Sequence, residues 1–360
     1  MGQQTPYRLL TNFPPERGKV ETIKILRAAN KATAALAELK GIGKTLPNQL
    51  MLINAIVLKE AKGSSEIENI ITTHDELYKA LAINSSNTTL ATKEVVNYRK
   101  AVFTGFNFVK QQGFLRFGDI LQIQQELTGN NAGIRTMPGT VLKNDLTGET
   151  VYTPPQDKQE ILDLLSGFID YFNTPSTEIS PLINLAILHH QFESIHPFYD
   201  GNGRTGRILN ILYLIMNGLM DIPILYLSSY IIENKPDYYK LLNLTNKHDD
   251  WEEWILYMLK AVEVTSLQTI EKITAIKSLL DKTIEKVQAE SPKIYRKELV
   301  ELLFEQPYSK IEFVVNQLKV ERKAASRYLQ ELERIGVLES QKAGRETLYI
   351  NKELFELLKK

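Results

Sequence analysis

The densest chemistry in the chain lies in twelve residues, His196-Pro197-Phe198-Tyr199-Asp200-Gly201-Asn202-Gly203-Arg204-Thr205-Gly206-Arg207. Apolar, helix-like runs flank them at residues 183–195 and 208–216. Pro197 cannot continue a helix. The Gly201-Asn202-Gly203 triplet permits positive φ, so successive backbone amides can curl inward. The residues after it read as a helix start, whose free amides and dipole form an anion site. Arg204 and Arg207 share one face of the first turn, and both can reach a polyphosphate. Asp200 is a hard oxygen ligand suited to Mg2+, and His196 is the side chain best placed to take a proton near pH 7. A base, a metal ligand, an amide nest and two arginines in one segment point to nucleotide phosphate chemistry.

The segment meets every specified position of HPFx(D/E)GNGRxxR, the motif of the Fic family. The sequence resembles a Fic protein adenylyltransferase. That resemblance implies transfer of AMP from ATP to a Tyr, Ser or Thr hydroxyl of a target protein, and self-modification. It implies that His196 deprotonates the hydroxyl and that Asp200 holds Mg2+ between the α- and β-phosphates. Asn202 and the amides around Gly201 and Gly203 would stabilise charge on the α-phosphate. Arg204 and Arg207, with Thr205 and Gly206 between them, would bind the β- and γ-phosphates, and Phe198 would anchor the loop. Two other functions stay open: a DNA-binding regulator that senses nucleotide, and a Fic-fold enzyme that removes AMP or transfers UMP, phosphate or phosphocholine.

A second motif lies upstream. Taken alone, Gly63-Ser64-Ser65-Glu66-Ile67-Glu68-Asn69 reads as a helix start, with Ser64 or Ser65 as N-cap and an acid in the next turn. Ser64, Glu68 and Asn69 also fit (S/T)xxxE(G/N), the inhibitory motif of the same family, which implies that Glu68 occupies Arg207 where a γ-phosphate should bind. Val141, Leu142 and Lys143 face the run 150–153 across Asn144 to Gly148, a hairpin signal that Pro154-Pro155 stops. By resemblance this is the flap on which an extended target segment adds as a strand. Gly133-x-Arg135 before it also resembles the family pattern, as do Tyr238, Tyr239 and Asn246 on the adenine side. The aromatic pair can stack and the amide can hydrogen-bond the nucleotide. Taken alone, the tyrosines read equally well as core.

Two lookalikes need other readings. Gly41-Ile42-Gly43-Lys44-Thr45 imitates the end of a phosphate-binding loop, but Glu38 stands where that pattern needs glycine. It reads as a helix-ending turn. His189, His190, Glu193 and His196 could share a metal, but the HExxH order is absent.

These motifs need helices to hold them. The periodicity predicts helices over 20–40, from 50 to 59, over 73–83, 93–111 and 117–127, and one long amphipathic helix from Val264 that Ser291-Pro292 breaks. The tail reads as three helices (294–304, 309–317, 321–335) and a two-stranded wing, resembling a winged helix-turn-helix. Arg322, Lys323, Ser326, Arg327 and Gln330 face outward on its third helix. From Glu290 on, 14 basic residues meet 12 acidic ones, a weak balance for DNA. A protein-interaction or dimerisation role therefore ranks slightly ahead, and the sequence leaves a homodimer open.

The fold expected is mainly α: a Fic helical core with a β-hairpin flap and a C-terminal winged helix. The divisions are 1–112 for the N-terminal helical region, with the inhibitory motif at 64–69, then 113–262 for the catalytic core, 263–291 for a connector helix and 292–360 for the tail. The 43 basic and 43 acidic residues cancel, so nothing draws the whole chain to nucleic acid or an anionic membrane. The absence of cysteine excludes thiol nucleophiles and fits a reducing compartment. No signal peptide is legible and polar residues interrupt the run 208–227, so no membrane contact and a cytoplasmic setting are expected.

Overall fold

The computed structural model describes residues 8–45, 48–83, 88–143, 148, 150–344 and 346–359. An N-terminal group comprises α1 (Arg8–Thr11), α2 (Arg17–Val20), α3 (Ile23–Gly43), α4 (Gln49–Ile67), α5 (His74–Ala82) and α6 (Leu90–Gln112). The middle of the chain holds α7 (Phe117–Thr128), a hairpin of β1 (Leu142–Lys143) and β2 (Thr150–Tyr152), α8 (Lys158–Asn173), α9 (Pro181–Ile195), α10 (Asn202–Met216), α11 (Leu227–Glu233), α12 (Lys235–His248) and α13 (Glu252–Glu290). The tail adds α14 (Lys297–Glu305), β3 (Tyr308–Ser309), α15 (Ile311–Leu318), α16 (Arg322–Arg334), β4 (Glu339–Ala343), β5 (Glu346–Ile350) and α17 (Lys352–Lys359). The fold is mainly α.

Local sequence sets most helix ends. Thr22 caps α3 by accepting from Ile25 N, and Thr73 and Glu76 form a capping box on α5. Gly113 and Gly129 end α6 and α7 in the left-handed region. The small face of α3 (Ala29, Ala32, Ala35) is buried, which lets α13 pack closely on it. At the centre, α9 is buried from Leu182 to Ile195 and α10 from Arg204 to Ile215. Helices buried on every side belong in a core. Packed at close to crystal density, they hold the loop between them with little play.

Several boundaries differ from the sequence reading. The stretch around Ser64 does not start a helix: α4 runs unbroken from Gln49 to Ile67, so Ser64 and Ser65 sit in its last turn. Apolar contacts from Leu52 to Ala61 carry the helix past Gly63. The division at 262/263 falls inside one continuous helix, because α13 starts at Glu252 and buries Trp254, Tyr257 and Met258 in the core before reaching the tail. The tail is not free-standing either. Its α14 packs on α4 and α13, its α17 packs on α13, and Tyr308 donates to Asp75 Oδ1 at 2.5 Å. Strand β3 and helix α17 were not expected. In the tail sheet β5 lies between β3 and β4, with Tyr349 opposite both Ser309 and Ser340. The hairpin turn read at residues 144–147, and Arg345 of the wing turn, lie outside the described residues. Among the described residues, no helix is long and apolar enough to cross a membrane.

Candidate functional site

His196 ends α9 in the left-handed region, at φ 49° and ψ 58°. For a residue with a Cβ this costs roughly 1–3 kcal/mol, so surrounding bonds must hold it there. Arg135 does so from a fully buried position. Its Nε donates to His196 O at 2.7 Å and its Nη2 to Ile195 O at 3.2 Å, filling carbonyls that the end of α9 leaves unpaired. Arg135 N donates to Pro197 O, and Ile134 bridges Phe198, so the segment before the flap pairs with the loop. Phe198 is 0% exposed and anchors the loop, as expected.

Asn202 closes the loop from the other side. Its Oδ1 accepts from Phe198 N and its Nδ2 donates to Phe198 O, both at 2.8 Å. The side chain is buried and used twice, so it braces the loop instead of facing a phosphate. The glycine triplet also works differently from the expectation. Only Gly201 adopts positive φ, at 83°, as the N-cap of α10. Gly203 is already helical, and it is small for another reason: a Cβ there would run into the carboxylate of Glu68.

The two arginines have separate partners. Arg204 Nη1 donates to Glu94 Oε2 at 2.8 Å, and Nη2 reaches both oxygens of Asp200 at 3.2 and 3.3 Å. Asp200 keeps 63% of its side chain exposed, so a carboxylate edge remains open. Among the described residues no cluster of three or more acids and histidines surrounds it. One carboxylate with phosphate oxygens and water is a normal Mg2+ environment, so these residues fit a cation that arrives with a nucleotide.

Arg207 is bound to the end of α4. Its Nε donates to Ser64 Oγ at 2.7 Å, and its Nη2 donates to Ser64 O and to Glu68 Oε1, each at 2.8 Å. Glu68 is the C-cap residue, and Asn69 follows it in the left-handed region at φ 62°. Burial raises the Glu68 pKa, but the charge and hydrogen bond of Arg207, helped by Arg204 and His196, outweigh it and leave the carboxyl below its ordinary value. It is ionised at neutral pH. Burial also pushes His196 down to about 4, with Arg135 adding to the shift and the Glu193 carbonyl and Glu68 opposing it. The imidazole is therefore neutral at pH 7 and free to accept a proton.

Buried Glu60 sets the position of α4. Its carboxylate accepts from Ser228 N at 3.0 Å, Ser228 Oγ at 2.6 Å and Tyr98 OH at 3.2 Å, tying α4 to α11 and α6. No local pattern in the sequence marked Glu60 or Glu94. Arg135 was visible only as part of Gly133-x-Arg135.

The Fic/DOC family profile matches residues 114–214, and the Fic/DOC N-terminal profile matches residues 26–107. A Fido domain-containing protein of Dictyostelium discoideum is 34% identical over 119 residues, which are 32% of this chain and 77% of that protein. The chain belongs to the Fic/DOC family. Residues 279–354 match the C-terminal domain of SoFic-like protein adenylyltransferases. Protein adenylyltransferase fic-1 of Caenorhabditis briggsae is 29% identical over 162 residues, 43% of this chain but only 29% of that relative's length. A Fic family protein from Desulfovibrio desulfuricans shares the fold at a TM-score of 0.59 and 16% identity, over 92% of this chain and 96% of its own.

Other expected residues of this Fic chain are more scattered. Tyr238 is a core side chain, 1% exposed, whose OH meets His189 Nε2 at 2.9 Å and whose ring packs on Trp254. Tyr239 is 42% exposed, and Asn246 pairs with Ser194 Oγ. His189 also meets Asn210 at 3.1 Å, and His190 packs edge-on against Trp251. These two histidines are packing groups, and burial lowers both to about 3. Thr205 is buried, and Gly206 faces the carboxyl of Glu193, which burial raises to about 7. On the flap, Leu142 pairs with Tyr152 and Lys143 with Thr150 across a bulge, while Tyr152 OH donates to Ser194 O on α9. Val141 precedes β1.

Proposed function

We propose that the protein is an adenylyltransferase that moves AMP from ATP to a Tyr, Ser or Thr hydroxyl of target proteins and of itself, held back by Glu68 on Arg207. The observation that carries this reading is the meeting of a neutral His196, the N-terminus of α10, which no side chain caps, and Arg207 within one braced loop and helix. The names of the relatives support the same activity. In the reaction, the hydroxyl oxygen attacks the α-phosphorus as its proton passes to the His196 imidazole. The bond from the α-phosphorus to the bridging oxygen breaks, and pyrophosphate leaves with that oxygen. Amides at the start of α10 stabilise charge on the α-phosphate. Arg207, once free of Glu68, holds the far phosphates in line. Asp200 would hold Mg2+, which supplies positive charge to the phosphates when bound. The flap offers strand edges to an extended target segment.

We read the exposed face of α16, with Arg322, Lys323, Arg327 and Gln330, as the surface of a winged helix that recruits a partner. The low net charge of the tail favours protein over DNA. The absence of cysteine suits a cytoplasmic setting. The test is transfer of label from α-labelled ATP with Mg2+ to protein. His196→Ala should abolish transfer and keep ATP binding, and near wild-type labelling by that variant would remove His196 as the base.

A further inference from the structure

We propose that Lys235 is a positioning residue for the inhibitory carboxylate: from the first turn of α12 it holds the last carbonyl of α4 and fixes where Glu68 stands. The proposal rests on the reading of Glu68 as the group that occupies Arg207. Lys235 Nζ donates to Ile67 O at 2.7 Å, across 168 positions of sequence. The same ammonium lies 6.0 Å over the exposed ring of Tyr239, a second favourable contact. Its own helix presents a positive end to it, whereas the C-terminus of α4 presents a negative one.

A helix leaves its last four carbonyls without partners inside the helix. In α4 these belong to Ser64, Ser65, Glu66 and Ile67. The turn that follows closes two of them. Ile70 N donates to Ser65 O and Asn69 N to Glu66 O, each at 3.0 Å, as Asn69 passes through the left-handed region. Side chains from elsewhere close the other two. Arg207 Nη2 donates to Ser64 O at 2.8 Å, and Lys235 takes Ile67 O. The end of α4 is thus tied to α10 at one carbonyl and to α12 at another.

The tie to α12 acts on Glu68 directly. The Ile67 carbonyl and the Glu68 amide belong to one planar peptide unit. Lys235 holds that unit by its oxygen, and Ser65 O holds it by the Glu68 N–H at 3.0 Å. With both edges fixed, the Glu68 Cα has a fixed place, and its carboxylate meets Arg207 at 2.8 Å. Ile67 is 1% exposed, so a carbonyl released by Lys235 finds little water to replace the ammonium. The peptide then turns, the last residues of α4 fray, and the carboxylate leaves Arg207 for part of the time. Lys62 gives the contrast, because it sits on the same helix and bonds within it, to Glu66 at 2.7 Å.

The test compares initial rates of self-labelling from α-labelled ATP, and hydrogen exchange at the Glu68, Asn69 and Ile70 amides, in the full chain. Lys235→Met keeps the stem and removes the ammonium. It should label itself about fivefold faster than wild type, the worth of one part-buried hydrogen bond, and exchange faster at those amides. Lys235→Arg should stay close to wild type in both, and Lys62→Met should leave the rate near wild type. In a Glu68→Gly background Lys235→Met should add no rate, because the carboxylate it positions is gone. Wild-type rate and exchange in Lys235→Met, alongside a faster Glu68→Gly, would overturn the proposal and leave the inhibitory reading standing. A slower Lys235→Met in both backgrounds would overturn it too, and assign Lys235 to the nucleotide. No gain from Glu68→Gly would remove the inhibitory reading itself, and exchange would then decide alone whether Lys235 fixes the turn.

Discussion

Replacing Glu68 with glycine removes one of three hydrogen bonds that α4 makes to Arg207, and the only one that carries a negative charge. A charge-assisted bond contributes roughly 1.5–3 kcal/mol. The Glu68 side chain is 35% exposed, so water screens it and the lower end applies. Releasing about 1.5 kcal/mol of competition raises the share of Arg207 available to a γ-phosphate by roughly tenfold. Space is freed too, because the Glu68 carboxylate fills the space beside Gly203 in the first turn of α10, where an added Cβ would meet its Oε1. The assay is the initial rate of self-labelling from α-labelled ATP at saturating ATP and Mg2+. Glu68→Gly should run about ten times faster than wild type or more. Glu66→Gly should stay near wild type, since Glu66 turns away to Lys62 at 2.7 Å. Adding Arg207→Ala to Glu68→Gly should remove the gain. Equal rates for wild type and Glu68→Gly would refute the reasoning and leave the Ser64–Glu68 contact as a structural cap on Arg207.

Other outcomes follow from the same geometry. In a Glu193→Gln variant, which removes the buried carboxyl raised to about 7, the pH profile of kcat/KM should stay flat from pH 8 to about 5 and fall as His196 takes up a proton near 4, since only the neutral imidazole accepts one. A limb near 6.5 in that variant, the ordinary histidine value, would mean His196 is not desolvated as described. Arg135→Ala should release the His196 and Ile195 carbonyls and let the base drift by about 1 Å, slowing transfer on the order of 100-fold. Calorimetry should find ATP affinity little changed in that variant. Arg322→Glu with Arg327→Glu should leave self-labelling unchanged, because both side chains are exposed on α16. A drop in self-labelling by this pair would place the tail surface against the active site.

The candidate segment was legible because its chemistry is local. His196, Pro197, Gly201 and Arg207 must stand at fixed spacing for a loop to turn and a helix N-terminus to face an anion, and the sequence displays that spacing directly. The pairing of Glu68 with Arg207 was also anticipated, though only by resemblance. Nothing in residues 64–69 by themselves points across to α10. The error at Ser64 shows the limit of local reading. A Gly-Ser-Ser-Glu string satisfies the rules for an N-cap, yet the apolar face of α4 outweighs the helix-breaking tendency of Gly63, and the helix runs on to Ile67. The boundary at 262 failed for a similar reason, because amphipathic spacing marks the exposed half of α13 and disappears where Trp254 and Tyr257 are buried on every side.

By itself, then, the sequence determined the mainly helical character, the loop from His196 to Arg207 with its histidine and arginines, the hairpin strands, and three helices and two strands of the tail, though not β3 or α17. All of these rest on contacts within a few residues of one another. Tertiary structure alone decided which partners those groups meet. Arg135 reaches back to the carbonyl of His196 across 61 positions, Glu94 to Arg204 across 110, and Glu60 to Ser228 across 168. The amide of Asn202, free in any local reading, is consumed by Phe198 once the loop closes. A carboxylate or guanidinium carries no mark in the sequence of where its counter-charge will lie. That is settled only when helices with buried faces pack and bring distant side chains into the same desolvated space, where leaving a charge unpaired is too costly.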